Sequence, residues 1–292
     1  MIDRIVIVGT GLIGTSIGLA LKAAGFAGTV IGIDGNPAEL SAALFSNALD
    51  SVASSELERQ EALERADLIV LAAPVLGVMD WMQRLAPVLK PYQLVTDAGS
   101  TKLQIAELAR QLYNGEETAR FLPGHPMAGK ESGGAGLAEA TLFENAKWLF
   151  TPLEESGAAA HPIELEWRGW VERFGAHALD LDPARHDELC AWVSHLPQML
   201  STALAALLED TFAGDPQAQA EIAAIGGRAL RETTRLGASP YSMWRDVALS
   251  NTEPIAQTLH ALEQRLAHLR ENLRTPELKE EFRLANQFRR RR

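Results

Sequence analysis

The sequence predicts an α/β chain: a doubly wound parallel sheet over residues 1–181, followed by an all-α domain over residues 182–292. Three observations carry that expectation. Short β-branched runs alternate with helical patterns through the first part, as strands buried on both faces of a parallel sheet require. A glycine-rich turn, Gly9-Thr10-Gly11-Leu12-Ile13-Gly14, stands between the first such run and the first helical pattern. From Asp182-Pro183 onward no strand signal remains, and apolar residues recur only at three-to-four spacing.

Ile5-Val6-Ile7-Val8 has no polar break and reads as the first buried strand. Gly9 permits the tight turn after it, and Gly11 lets backbone approach a pyrophosphate. Gly14 lets the helix carrying Ile17 and Leu21 pack close to the strand. The anion would face the N-terminus of that helix, whose first turn holds Leu12 and Ile13. A second strand, Thr29 to Ile33, ends in Asp34, about 20 residues beyond the glycines, as a Rossmann-type dinucleotide site demands. The Asp34 carboxylate can accept both ribose hydroxyls, whereas a 2′-phosphate would meet its charge. Gly35 and Asn36 bring no compensating cation. NAD is therefore expected over NADP.

Leu57 to Arg65 reads as a short helix and Leu68 to Ala73 as a buried strand with Pro74-Val75 as its exit, which puts Ala73 and Pro74 beside the cofactor. Met79, Met82, Leu85 and Leu89 form the core stripe of the next helix. Leu94-Val95-Thr96 is a further strand, closed by Asp97-Ala98-Gly99-Ser100-Thr101-Lys102 before a helix from Leu103 to Leu112. Ligands of doubly wound sheets bind at the carboxyl ends of strands. Pro74, Asp97 and Ser100 fall there, and so does His125, which follows Phe121-Leu122 in a glycine-flanked loop. Ser100 or Thr101 is either a helix N-cap or a functional hydroxyl. Lys102 opposes the helix dipole, and reads either as a solvated surface residue or as the anchor of a carboxylate. Lys147 to Thr151 and His177 to Leu181 read as late strands closing the domain, separated by a surface loop over 154–162 and a helix from Ile163 to Phe174.

In the second part, Leu189, Trp192, Val193, Leu196, Leu200, Leu204 and Leu207 form a stripe broad enough for a central helix. Pro197 interrupts it, at a cost of about 3 kcal/mol where uncompensated. The break beside Ser194-His195 reads either as a helix shaped around a ligand or as a tolerated kink with His195 in the core. Further helices are expected over Leu230 to Gly237, from Tyr241, and from about Pro254 to Leu273. The last carries Leu259, Leu262, Leu266 and Leu269 on one face, too apolar for a lone surface element. A homodimer through the helical domain is therefore expected. Arg289 to Arg292 reads as a solvated tail.

Composition narrows the function classes. A net charge of −11 argues against a nucleic-acid partner. No apolar stretch reaches about 18 residues, so no membrane span is expected. The N-terminus runs straight into a strand-like run and leaves no room for a signal peptide. Cys190 is the only cysteine, which excludes an internal disulfide and a structural zinc site of the cysteine type and fits a cytoplasmic address. The seven histidines show no ligand spacing, so no metal is expected.

Taken together, the motifs resemble the TyrA family, the prephenate and arogenate dehydrogenases of tyrosine biosynthesis. The resemblance runs through Gly9 to Ser16, Ala73-Pro74-Val75, Asp97 to Lys102 and His125-Pro126-Met127-Ala128-Gly129. It continues through Ser194-His195-Leu196-Pro197, Thr234-Arg235 and Trp244-Arg245-Asp246. It implies oxidative decarboxylation of prephenate with NAD to 4-hydroxyphenylpyruvate, CO2 and NADH, in a chain with no room for a fused mutase or regulatory domain. It also implies roles. Neutral His125 would accept the proton of the ring hydroxyl. Ser100 would hydrogen-bond both hydroxyl and imidazole, and Arg235 would clamp a substrate carboxylate. Ser194 and His195 would line the pocket, Lys102 would meet a carboxylate, and Glu131 would pair with Arg235 in the empty site. Gln198 stands where many relatives have histidine; its neutral amide offers no charge to the amino group of arogenate, which favours prephenate. The competing readings are an arogenate dehydrogenase, a β-hydroxyacid dehydrogenase or imine reductase, and a non-enzymatic NAD-binding redox sensor.

Overall fold

The computed structural model describes residues 1–153 and 160–291. Most of the loop expected over 154–162, and Arg292 of the expected tail, lie outside the described residues. Six parallel strands form the main sheet: β1 (Arg4–Val8), β2 (Thr29–Ile33), β3 (Ser51–Val52), β4 (Leu68–Leu71), β5 (Leu94–Asp97) and β6 (Arg120–Leu122). Their order is β3-β2-β1-β4-β5-β6. Helices α1 (Leu12–Ala23), α2 (Pro37–Phe45), α3 (Glu56–Glu64), α4 (Val75–Leu85) and α5 (Leu103–Leu112) make the crossovers. The unbroken apolar runs have a simple cause. Alternate residues of a strand point to opposite faces, and both faces are covered. Ile5 and Ile7 pack with Ile17 and Leu21 of α1, while Val6 and Val8 pack with Val78 and Met82 of α4. The strand order reverses between β1 and β4, and a crevice opens there at the strands' carboxyl ends.

The late strands differ from expectation. They do not extend the main sheet but form a second one, ordered β7 (Gly124–Pro126), β8 (Lys147–Phe150) and β9 (His177–Asp180). Pro123 has no N–H to continue β6, and the next amide, Gly124 N–H, donates instead to the Asp97 carboxylate at 3.1 Å. His125 therefore sits on a strand of its own, paired opposite Leu149. Trp148 and Phe150 of β8 and Trp167 of α6 (Pro162–Arg173) join the core beneath α1.

Beyond Asp182 the chain is helical: α7 (Pro183–Cys190), α8 (Leu196–Phe212), α9 (Pro216–Ile225), α10 (Arg228–Thr234), α11 (Tyr241–Ser250), α12 (Thr252–Glu271) and α13 (Glu277–Arg290). The expected proline break is a π-helical turn, Ala191–His195, in which Leu196 N–H reaches back to Ala191 O. Pro197 then falls in the first turn of α8, and the wider π turn just before it takes up the break that the missing N–H makes. The central-helix expectation is corrected: only Gln198 and Ser201 of α8 are buried, and Leu207 is 62% exposed. The stripe faces outward. The tail is corrected too, because α13 runs to Arg290 with Arg289 and Arg290 in its last turn, where cations complement the helix dipole. Among the described residues, no helix is long and apolar enough to cross a membrane.

Candidate functional site

The glycine turn is shaped for close approach. Gly9 has φ +92°, and a Cβ there would stand 2.6 Å from the Ala72 carbonyl oxygen. Nothing lies within 4 Å of the Cβ position of Gly11, and α1 begins there without a side-chain cap. Its first-turn N–H groups are left without a side-chain acceptor, as a helix N-terminus that binds a phosphate needs. Asp34, just past β2, is fixed by three donors: Thr10 N–H at 2.6 Å, Thr10 Oγ1 at 3.2 Å and Asn36 N–H at 2.8 Å. The chemistry of this donor set fits an NAD pyrophosphate and ribose.

Across the crevice, three side chains from two domains form a hydrogen-bonded chain. His125 Nδ1 lies 2.9 Å from His186 Nε2, and His186 Nδ1 lies 2.8 Å from Asp187 Oδ1. Asp187 also accepts Lys102 N–H at 2.7 Å and Leu103 N–H at 2.9 Å, so it caps α5 from the helical domain. That geometry determines the protons. The Asp187 carboxylate requires a proton on His186 Nδ1, which leaves Nε2 as an acceptor. His125 Nδ1 must then be the donor, and its Nε2 carries the free lone pair. Burial, followed by the neighbouring His186, Lys102 and His195, holds His125 well below the ordinary histidine range. The imidazole is therefore neutral at pH 7, with its basic nitrogen not engaged by His186. Asn251 Nδ2 donates to the Asp187 carbonyl at 2.9 Å and lies 3.1 Å from His195 Nδ1, which makes that nitrogen an acceptor and leaves His195 Nε2–H as a donor. Burial lowers His195 to about 4.

Two further carboxylates organise the surroundings. Asp97, at the end of β5, takes the Lys102 ammonium as well as Gly99 N–H at 2.8 Å and Gly124 N–H. On the rim, Arg235 forms an ion pair with Glu131 and is 57% exposed.

Against this geometry, two family models match. One, described as prephenate dehydrogenase, nucleotide-binding domain, covers residues 17–168. The other, prephenate dehydrogenase, dimerization domain, covers residues 182–289. The chain belongs to the prephenate dehydrogenase family. The prephenate dehydrogenase of Lactococcus lactis subsp. cremoris is 35% identical over 269 residues, covering 92% of this chain and 70% of that one. The structure of prephenate dehydrogenase from A. aeolicus in complex with hydroxyphenyl propionate and NAD+ superposes with a TM-score of 0.86 at 26% identity, covering 100% of this chain and 98% of that one. Synechocystis arogenate dehydrogenase gives 0.75 at 30% identity, covering 99% of each chain. Family membership displaces the β-hydroxyacid dehydrogenase and imine reductase readings.

The residues singled out in the sequence divide in two. Gly9, Gly11, Gly14, Leu12 and Ile13 surround the turn, with Ala73 and Pro74 at the neighbouring strand end. His125 and His195 are both tied to Asp187, His125 through His186 and His195 through Asn251, and half-buried Ser194 lies in the π turn. Others are placed differently. Lys102 is fully buried on Asp97, neither a surface residue nor an open cation for a carboxylate. Neither Ser100 nor Thr101 caps α5. The carboxylate of Asp187 does, while Thr101 Oγ1 bonds Ser250 Oγ at 2.7 Å and ties α11 to the nucleotide domain. Among the described residues, no hydrogen bond joins half-buried Ser100 to His125. Gln198, expected on the substrate, is buried with its amide engaged: it donates to Leu236 O at 2.7 Å and accepts from Ser239 Oγ at 3.2 Å. It braces the turn that presents Arg235.

His186, Asp187 and Asn251 were missed. The available signal was a His-Asp pair one turn inside the first helix after the last strand, a helix whose other buried positions are apolar or small.

Proposed function

We propose that this chain is an NAD-dependent prephenate dehydrogenase, producing 4-hydroxyphenylpyruvate and CO2 for tyrosine biosynthesis, with His125 as the base. The observation that supports that role is the His125–His186–Asp187 chain, which leaves His125 Nε2 unprotonated. When bound, NAD would supply the hydride acceptor for ring C4, and loss of the C1 carboxylate as CO2 would leave the ring aromatic. Gly9, Gly11, Gly14, Leu12 and Ile13 would hold its pyrophosphate, Asp34 its ribose, and Ala73 and Pro74 the neighbouring wall. His125 Nε2 accepts the C4 hydroxyl proton, which turns that oxygen into a carbonyl. Its proton on Nδ1 stays in the hydrogen bond to His186, so Asp187 stabilises the imidazolium through one intervening ring. Ser100 bonds the same hydroxyl from the strand end. Arg235, released from Glu131, clamps a substrate carboxylate, and His195 Nε2–H and Ser194 contribute donors from the helical side.

The dimerization-domain match accounts for the outward apolar stripe of α8, and we assign that face to a second copy of the chain. The cytoplasmic address expected from the single cysteine belongs to the same proposal.

The test is NADH formation with prephenate and arogenate side by side. Prephenate should be the better substrate, and His125→Asn should lower turnover about 10²–10⁴-fold with substrate binding nearly unchanged. Normal turnover in that variant would remove His125 as the base.

A further inference from the structure

The His125–His186 hydrogen bond lies beside the chain's single thiol. Cys190 Sγ stands 3.6 Å from His186 Nε2, one turn further along α7. The ligand atoms of His125, His186 and Cys190 all fall within 4.8 Å of one another, and all three side chains are buried. The proton path proposed above does not use the thiol. Burial, with the Asp187 charge second, pushes it up to about 12, so on its own it is inert.

Three features make the cluster a ligand set. The first is distance: tetrahedral zinc with bonds of about 2.0–2.1 Å to nitrogen and about 2.3 Å to sulfur holds N and S about 3.6 Å apart, which is the Cys190–His186 separation. The two imidazole nitrogens need to open from 2.9 Å by about 0.4 Å, and the His125 and Cys190 ligand atoms, within 4.8 Å of each other, need to close to about 3.6 Å. The second is orientation: His186 donates its other ring N–H to Asp187 at 2.8 Å, as metal-bound histidines do to a carboxylate. The third is spacing. His186 and Cys190 stand four residues apart on one helix face, a relation that a comparison of histidines only with histidines does not reveal.

We propose that His125, His186 and Cys190 form an inhibitory site for a thiophilic divalent cation of the zinc class. The metal takes the lone pairs of His186 Nε2 and His125 Nδ1 and the Cys190 thiolate, with a fourth position left for water. The thiol proton is released to solvent, and the His125 proton moves from Nδ1 to Nε2. The site gains one positive charge, set against the Asp187 carboxylate that His186 contacts. Inhibition follows because Nε2, the proposed basic nitrogen, now carries a proton; that consequence rests on the reading of His125 as the base, whereas binding does not.

The test uses the full chain, stripped with a chelator and titrated with cobalt(II). One equivalent should develop a thiolate-to-cobalt charge-transfer band in the near ultraviolet, which zinc bleaches. Cys190→Ala should lose the band while keeping its metal-free turnover, and Cys190→Ser serves where alanine disturbs folding. Zinc should inhibit the unmodified chain, reversibly by chelator, and should leave Cys190→Ala unaffected. Absence of the band at one equivalent, or its survival in both Cys190 variants, overturns the site. A band without inhibition refutes the inhibitory role, and turnover of His125→Asn then decides separately whether His125 is the base.

Discussion

Asp187→Asn separates what the carboxylate does for catalysis from what it does for the fold. Asp187 accepts three hydrogens: His186 Nδ1–H and Lys102 N–H on Oδ1, and Leu103 N–H on Oδ2. An asparagine can accept on one side only. With its oxygen toward His186 and Lys102, its NH2 faces Leu103 N–H. Turned over, the NH2 faces Lys102 N–H and His186 Nδ1, which drives the His186 proton to Nε2 and the His125 proton from Nδ1 to Nε2. Either orientation leaves one helix amide without an acceptor, that of buried Lys102 or of part-exposed Leu103, costing about 1–3 kcal/mol at the buried one and less at the other. Loss of the anion at the start of α5 adds about 1 kcal/mol. The catalytic effect is larger. Turned over, the amide imposes the wrong tautomer, which in a Ser-His-Asp triad lowers kcat about 10⁴-fold; with its oxygen toward His186 it keeps the tautomer but loses the charge that stabilises the imidazolium, so through one additional imidazole about 10²–10³-fold is expected. The assay is kcat and KM for prephenate alongside Tm. Asp246→Asn is the control, because Asp246 accepts Leu76 N–H at 3.3 Å and so links the same two domains without touching His186. It should lower Tm and leave kcat largely intact. Equal kcat losses in the two variants, or an unchanged kcat in Asp187→Asn, would refute the tautomer reasoning and leave Asp187 with only its capping role.

Arg235→Gln should act mainly on KM, by about tenfold, the lower end for a charge-assisted hydrogen bond at a residue that is 57% exposed; an unchanged KM would remove Arg235 from the substrate. Asp34→Ala should weaken NAD relative to NADP, read as the ratio of kcat/KM for the two cofactors. An unaltered ratio would show that Asp34, though fixed by Thr10 and Asn36, does not face the ribose. Acid stability follows from three histidines that burial holds neutral, His125, His186 and His195. Each has its folded-state pKa lowered, so the unfolded chain binds more protons, and stability falls as pH drops from the unfolded value near 6.5 toward the folded one. For His195, lowered to about 4, the loss across that window is of order 3 kcal/mol. Denaturation midpoints that are level between pH 7 and pH 4 would contradict it.

The local rules reached a long way. Strand β1, the turn at Gly9 and Asp34 past β2 were legible because each depends on neighbours in sequence: a buried strand needs an unbroken apolar run, and a pyrophosphate needs backbone without side chains. The Glu131–Arg235 ion pair was legible through the family resemblance. Other features answer to partners far along the chain. Lys102 reads as a surface cation in its own helix, yet Asp97 and the closing helical domain bury it completely. Ser100 is the obvious cap, but Asp187, 85 residues from Lys102, supplies the stronger charged acceptor. Gln198 reads as a substrate contact until α8 packs it against Leu236 and Ser239. The proton arrangement of the site is the clearest case. No pattern within reach of His125 reveals a tautomer; it is set when α7, from the second domain, brings His186 and Asp187 against a strand 61 residues earlier. Short-range geometry is written in residue spacing, whereas the basicity of a buried imidazole depends on whatever hydrogen bonds and charges the tertiary fold brings to its other nitrogen.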